Sequence, residues 1–545
     1  MRGRIFFYLL FFSLVSIVQV QSGHTADGTT TVRGNVVDAE TGKPLPCRLY
    51  IQSDSGTWHF AKSASSAGSA VEYSRRRGER SVEIHTTLSA HPFTAELPPG
   101  NYTVTAERGK EYFTSTQQLS VGEKPAEFTL QLKRWIDLSK RGWYSGDTHV
   151  HRKIEELPNA ILAEDLNVAL PLTYWVTVTD VPPTKGRKSS DQSIPAKLIK
   201  VDDQHVIYPL NTEYEIFSVG AKRHTLGAVF VLNHKTPLEI SVPTVLPVAE
   251  EARKQGAILD LDKHSWPWSM MVVPIMKVDL FELSNNHIWR TEFAFSNWTI
   301  DTEPKYMNLK MSADGFSEWA WTEYGFRTYY ALLNCGFRMR PTGGTASGVH
   351  PVPLGFGRVY VELEDGFDYD SWMDGLNRGR SFVTTGPMLF LKFNSQPPGN
   401  TFDVKTTASP VCHITGTVES AHKLNRIEVI VNGEIVKTIL PGNQKTISGG
   451  YRSVVNDAVS FEGSGWVAVR CFEDVSNSRY RFAHSSPVHF DVPGHLVRPR
   501  KVEVEYFIGR MKKELARNRG MLRPDAIAEY ERALKIYQDI SKLAR

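Results

Sequence analysis

His149 and His151, in the run Trp143-Tyr-Ser-Gly-Asp-Thr-His-Val-His151, are the residues from which chemistry can be read most directly. In an extended strand alternate side chains share a face about 6 to 7 Å apart at Cα, so the two imidazoles can grip one cation. His-x-His also arises by chance among 17 histidines, which leaves two partly exposed strand histidines as the alternative. Further candidate ligands stand far along the chain: Glu215, which shares a strand face with Glu213, and His224, His264 and His287. Neutral imidazole and carboxylate suit zinc, manganese or iron, and a hydrolytic centre needs an open coordination position for a water whose pKa the ion lowers. The expected cofactor is therefore a divalent ion. His224 follows Lys222 and Arg223, two cations that oppose a metal unless a carboxylate offsets them.

Asp147, Glu215 and His287 are the candidate catalytic groups. Asp147 faces the same side as His149 and could orient a ligand, and Glu215 could serve as ligand or general base. The plain alternatives are a turn aspartate after Gly146, a solvated strand face at Glu213 and Glu215, a packed loop histidine at His264 and an asparagine cap beside His287. The small-residue turn 343–348 could offer backbone N–H groups to an anion, with Arg338, Arg340 and His350 flanking it. It lacks the Gly-Lys-Ser/Thr ending of a P-loop, so nucleotide binding is unsupported.

The elements that must position these residues are apolar runs. Residues 168–173 lead to Tyr174 and Trp175, 228–232 to Asn233 and His234, 257–261 to Asp262, Lys263 and His264, and 278–283 to Asn285, Asn286 and His287. They alternate with helix-compatible segments, an α/β layout in which the carboxyl ends of barrel strands gather at one mouth. Ser265-Trp-Pro-Trp268 could wall a pocket there.

The 545 residues allow roughly two to four domains. A net charge of +4 and short basic clusters (Arg75-Arg76-Arg77 and Lys185-Gly-Arg-Lys188) argue against a nucleic-acid partner. Arg2, Arg4 and the apolar stretches 5–12 and 14–20 predict an export signal over 1–22, with a secreted or periplasmic product and no stable membrane anchor once it is removed. Cys47, Cys335, Cys412 and Cys471 show no Cys-x-x-Cys spacing; Cys412 and Cys471 could pair after export or stay as buried thiols. Residues 30–138 read as an antiparallel β-sandwich with 63–83 as a loop, and 394–495 as a second sandwich. Residues 500–545 read as helical, with Ile527, Tyr530, Leu534, Tyr537 and Ile540 forming a stripe for packing or for a partner.

Two resemblances follow from ordered motifs. Gly34-x-Val-x-Asp38, Thr41-Gly-x-Pro-Leu45 and Leu97-Pro-Pro-Gly-x-Tyr-x-Val104 resemble the carboxypeptidase-regulatory-like domain, which implies a structural module. The 143–151 run, Leu333-Asn-Cys-Gly-Phe337, Gly344-Thr-Ala-Ser-Gly348, Arg358-Val-Tyr-Val361 and Gly379-Arg-Ser-Phe-Val-Thr-Thr-Gly-Pro387 resemble the polymerase and histidinol phosphatase (PHP) metallohydrolases, in the CehA/McbA branch. Over 143–393 that resemblance implies a distorted (β/α)7 barrel and hydrolysis of a phosphoester, ester, amide or carbamate in a small-molecule or glycan-linked substrate. Departures from the family pattern are Thr173-Tyr-Trp175 where it has Thr-Asp-His, and Ala346 where it has an acid. They reduce the implied site from three ions to one or two. The competing expectation is a catalytically degenerate PHP-like carbohydrate- or surface-binding protein, with Trp266, Trp268, Trp298, Trp319 and Trp321 stacking on sugars or simply filling the core.

Overall fold

The computed structural model describes residues 28–186, 189–297, 303–405, 409–475 and 479–545. The expected signal at 1–22, part of the basic cluster (Arg187 and Lys188) and Trp298 lie outside them. The architecture is mixed α/β, with five sheets and seven α-helices among the described residues.

The N-terminal domain packs a four-stranded sheet on a six-stranded one around Val32, Leu49, Phe93, Leu97, Tyr102 and Val104. Two expectations fail here. Thr30–Asp38 pairs in parallel with Ala126–Leu132, so the sandwich is not purely antiparallel. Residues 63–83 are not simply a loop: Ala70–Arg76 is zipped along its length to Val82–Leu88. Its polar residues read as loop because most of them face solvent, while the backbone ladder holds the strand.

Two sheets build the centre. The seven-stranded one runs, in space, Thr184–Lys185, Tyr174–Val178, Thr212–Val219, Lys222–Leu232, Ile258–Leu261, Leu280–Ser284, Arg340–Gly343. The twelve-stranded one places Val206–Ile207, Val168–Pro171, Trp143–Val150, Arg358–Glu362 and Ser381–Thr384 side by side. The chain crosses between the sheets from Pro171 to Tyr174, and they share a core that includes Leu170, Phe230, Leu280 and Val359. On the other side Thr148 Oγ1 donates to Gly343 O at 3.4 Å and Val150 forms a parallel bridge to Ser347. No ladder closes the ring among the described residues. Lys222–Leu232 runs antiparallel to both neighbours, a departure from a uniform parallel repeat that decides which histidines reach the mouth.

The expected boundary at 393/394 falls inside one unit. Met388–Phe393 pairs with Val411–Ser420, and Ser381–Thr384 pairs with Phe482–Ser485, so the second sandwich continues the central sheet. Cys412 and Cys471 lie in its core, and all four cysteines are free, buried thiols. The tail is a helical hairpin, α6 (Lys501–Asn518) and α7 (Pro524–Ser541), with Pro524 in the first turn of α7, where a missing N–H costs nothing. Phe507, Met511, Tyr530 and Tyr537 bury against the body with Met270 of α3 (Ser269–Met276) and Leu332 of α4 (Glu318–Asn334). No described helix is long and apolar enough to cross a membrane.

Candidate metal centre

Ile258–Leu261, Leu280–Ser284 and Arg340–Gly343 pair in parallel, so their carboxyl ends share one rim with the end of Trp143–Val150. Four side chains meet there around His149. Its Nδ1 lies 3.0 Å from Glu282 Oε2 and 3.8 Å from Asp262 Oδ1, and its Nε2 lies 3.1 Å from His151 Nε2. His151 Nε2 is in turn 3.5 Å from Glu213 Oε2. Two overlapping trios result, His149–His151–Glu213 and His149–Asp262–Glu282, each with its ligand atoms within 4.8 Å of one another. Lys263 Nζ sits among the acids, 3.6 Å from Glu213 Oε1, 3.2 Å from Glu215 Oε1 and against Asp262 Oδ2.

Local structure holds the central imidazole from three sides. The Phe230 ring packs edge-on against it with centroids 4.6 Å apart. Asp147 does not orient the His149 ring; its carboxylate accepts from His149 N, Thr345 N, Thr345 Oγ1 and Gly355 N at 2.6 to 3.1 Å. It therefore fixes the His149 backbone and two loops rather than taking part in ligation. Burial nonetheless pushes its pKa up to about 6. Gly344 lies so close behind that a Cβ there would overlap His149 Cβ and stand 3.0 Å from Glu282 Oε1.

The charge balance points to a cation. Glu213, Glu215, Asp260, Asp262 and Glu282 are buried carboxylates around one ammonium, Lys263. Burial, reinforced by neighbouring acids, pushes Glu213 and Glu282 well above the usual carboxylate range and Asp260 up to about 7. Burial works against the charge on Lys263, but Asp262, Glu215 and Glu213 outweigh it and raise its pKa. Burial, then the nearby His151 and Lys263, hold His149 neutral, the form in which imidazole ligates. Glu213 Oε2, Asp260 Oδ1, Asp262 Oδ1 and Glu282 Oε1 are buried with no hydrogen-bond partner. Each such oxygen costs about 1 to 3 kcal/mol or more unless a proton or cation meets it. These residues fit a divalent ion.

No family model matches the chain, and no curated protein matches it.

Of the expected ligands, the structure brings His149 and His151 together and places Glu215 at the rim, tied in through Lys263. The other three stand elsewhere. His264 is sealed among Phe281, Trp321 and Tyr324, with centroids 4.8 to 5.6 Å away, and burial holds its pKa down to about 3. His287 packs against Phe295 and Trp321 at 4.1 and 4.8 Å and joins neither trio. His224 Nε2 is 2.7 Å from Asn518 Oδ1 on α6 and its Nδ1 faces Arg517, a cation where a metal would have to sit. His234 also misses the mouth, because its strand runs the opposite way; its Nε2 meets Thr212 Oγ1 at 2.9 Å.

The 343–348 turn offers no anion cradle. The N–H groups of Gly344, Thr345, Ala346, Ser347 and Gly348 are taken by Ser284 O, Asp147, His149 O, Thr345 Oγ1 and the Tyr73 hydroxyl. Arg338 pairs with Asp491 and Arg340 with Asn377, at the amino end of the strand Arg340–Gly343. Trp266, Trp268 and Trp321 are buried, with no face open to a sugar, and Trp319 packs on Phe472 and Tyr480. Sequence reasoning missed Asp262 and Glu282 as candidate ligands, missed the buried Asp260 beside them, and preferred Glu215 to Glu213. The available signal was an acid inside an apolar strand, which a chain rarely buries without a partner.

Proposed function

We propose that this protein is an exported metal-dependent hydrolase of the PHP type, built on a distorted barrel, that cleaves a phosphoester, ester, amide or carbamate with water. The observation that supports it is the excess of buried, unpartnered carboxylate oxygens around the His149–His151 pair. His149, His151, Glu213, Asp262 and Glu282 would hold one or two ions of zinc, manganese or iron. When bound, such an ion supplies Lewis acidity toward the scissile carbonyl or phosphoryl group and toward water.

The chain's own residues do the rest. His149 presents its two ring nitrogens to the two trios, Nδ1 toward Asp262 and Glu282 and Nε2 toward His151 and Glu213, so an ion would be held at one or both of them. Glu215 is the more open carboxylate of its strand, its side chain 12% exposed against 1% for Glu213, and would take the proton of the attacking water and return it to the leaving group. Lys263 holds Glu215 in that position. His151 and Trp175, both half-buried with ring centroids 5.9 Å apart, form the less buried side of the cluster.

The test is metal analysis of protein purified without an affinity tag, followed by an esterase, carbamate and phosphatase screen. His149→Ala and Glu282→Gln are expected to lose the metal and His224→Ala to keep it. Glu215→Gln is expected to keep the metal and lower kcat by about 10²-fold or more. Unchanged metal content in both His149→Ala and Glu282→Gln would refute the reading.

A further inference from the structure

The metal ligands hang on a segment that the N-terminal domain holds from outside. Ala346 N donates to His149 O at 2.6 Å, His151 N donates to Ser347 O at 2.8 Å, and Arg152 Nε donates to Ser347 Oγ at 3.1 Å. Ala346 is left-handed at φ 52°, a conformation a non-glycine residue keeps only where its surroundings impose it. The outer side of this segment meets the Ala70–Arg76 strand. Tyr73 is buried, and its hydroxyl accepts from Gly348 N at 2.9 Å and donates to His350 O at 2.6 Å. The ring is stacked on His85, with centroids 5.1 Å apart, and lies 4.0 Å from the Arg152 guanidinium. Two residues on, Arg75 Nε donates to Gly348 O at 2.7 Å.

We propose that Tyr73 is a positioning residue of the metal centre, supplied by a domain outside the barrel. Its hydroxyl clamps residues 348–350, and through the peptide hydrogen bonds of 346 and 347 that clamp sets the distance between His149 and His151. The N-terminal sandwich is then part of the site rather than a detachable module. The inference rests on the metal-centre reading above.

The full chain is loaded with cobalt(II), and its visible spectrum, its affinity by chelator competition and its Tm are read for wild type, Tyr73→Phe and Tyr50→Phe. Tyr50 is the control: it is a buried tyrosine of the same domain whose hydroxyl donates to Glu83 Oε1 at 2.6 Å and does not touch the segment. Tyr73→Phe is expected to weaken cobalt binding about ten-fold and to change the ligand-field bands. Tyr50→Phe is expected to lower Tm alone. Arg75→Gln, a milder surface probe of the same clamp, is expected to move spectrum and affinity in the same direction by less, and it carries the test if Tyr73→Phe does not fold. Wild-type spectrum and affinity in Tyr73→Phe, or the same change in Tyr50→Phe, overturns the positioning role. Failure of wild type to bind cobalt overturns the metal-centre reading together with it.

Discussion

Gly344→Ala tests the tightness of the metal cradle with a single methyl group. Gly344 is not in the left-handed region, so alanine meets no backbone strain and the whole effect is contact. The new Cβ would overlap His149 Cβ and stand 3.0 Å from Glu282 Cδ and Oε1. Neither neighbour has an easy retreat. The His149 backbone is tied at both ends, by its N–H to Asp147 and by its carbonyl to Ala346 N, and Glu282 is wholly buried. Overpacking of this kind costs about 1 to 3 kcal/mol. Turning the ring does not relieve a Cβ–Cβ overlap, so the cost falls on the folded chain with or without the ion, and the backbone shift that relieves it moves His149 away from its fellow ligands; the expected result is a loss of stability of that size together with a loss in metal affinity of up to about 150-fold. The assay is chelator competition with zinc or manganese, with thermal unfolding measured in the presence and absence of the ion. Gly442→Ala is the control, since a Cβ there meets nothing within 4 Å. Gly344→Ala binding within about two-fold of wild type would refute the argument that Gly344, His149 and Glu282 form one rigid cradle.

Lys263→Met removes the ammonium that contacts Asp262, Glu213 and Glu215. Breaking a buried pair costs about 3 to 5 kcal/mol, so the metal-free variant should unfold far more easily and regain more stability than wild type on adding the ion; equal metal-induced shifts in Tm would contradict this. His484, with Nδ1 donating to Ser485 O at 2.7 Å and Nε2 accepting from the Tyr330 hydroxyl at 2.8 Å, is held by burial down to about 3. As pH falls below the unfolded value near 6.5 only the unfolded chain takes up this proton, so its contribution is complete above about 6.5 and is lost toward 3, by up to about 1.4 kcal/mol per unit. Unfolding free energies from pH 7 to 4.5 should fall less steeply in His484→Gln, and an identical slope would sink the assignment.

Local periodicity alone indicated that His149 and His151 can share a strand face, that residues 257–261 and 278–283 are strands followed by polar groups, and that Pro524 opens a helix with an apolar stripe. Those features depend on neighbours two to four positions away, which a sequence displays. Which strand ends meet was decided by non-local pairing. Ile258–Leu261 and Leu280–Ser284 lie parallel and adjacent, which brings Asp262 and Glu282 to His149 from more than a hundred residues away. Lys222–Leu232 is reversed between its neighbours, which sends His234 to the opposite end and leaves His224 against α6. The polar stretch around Tyr73 reads as loop because its burial comes from another domain, and burial across a domain boundary leaves no period in the chain that supplies it. Strand faces are thus written into neighbouring residues, whereas strand order and direction are settled by hydrogen bonding across the whole fold, and the candidate metal centre needs both.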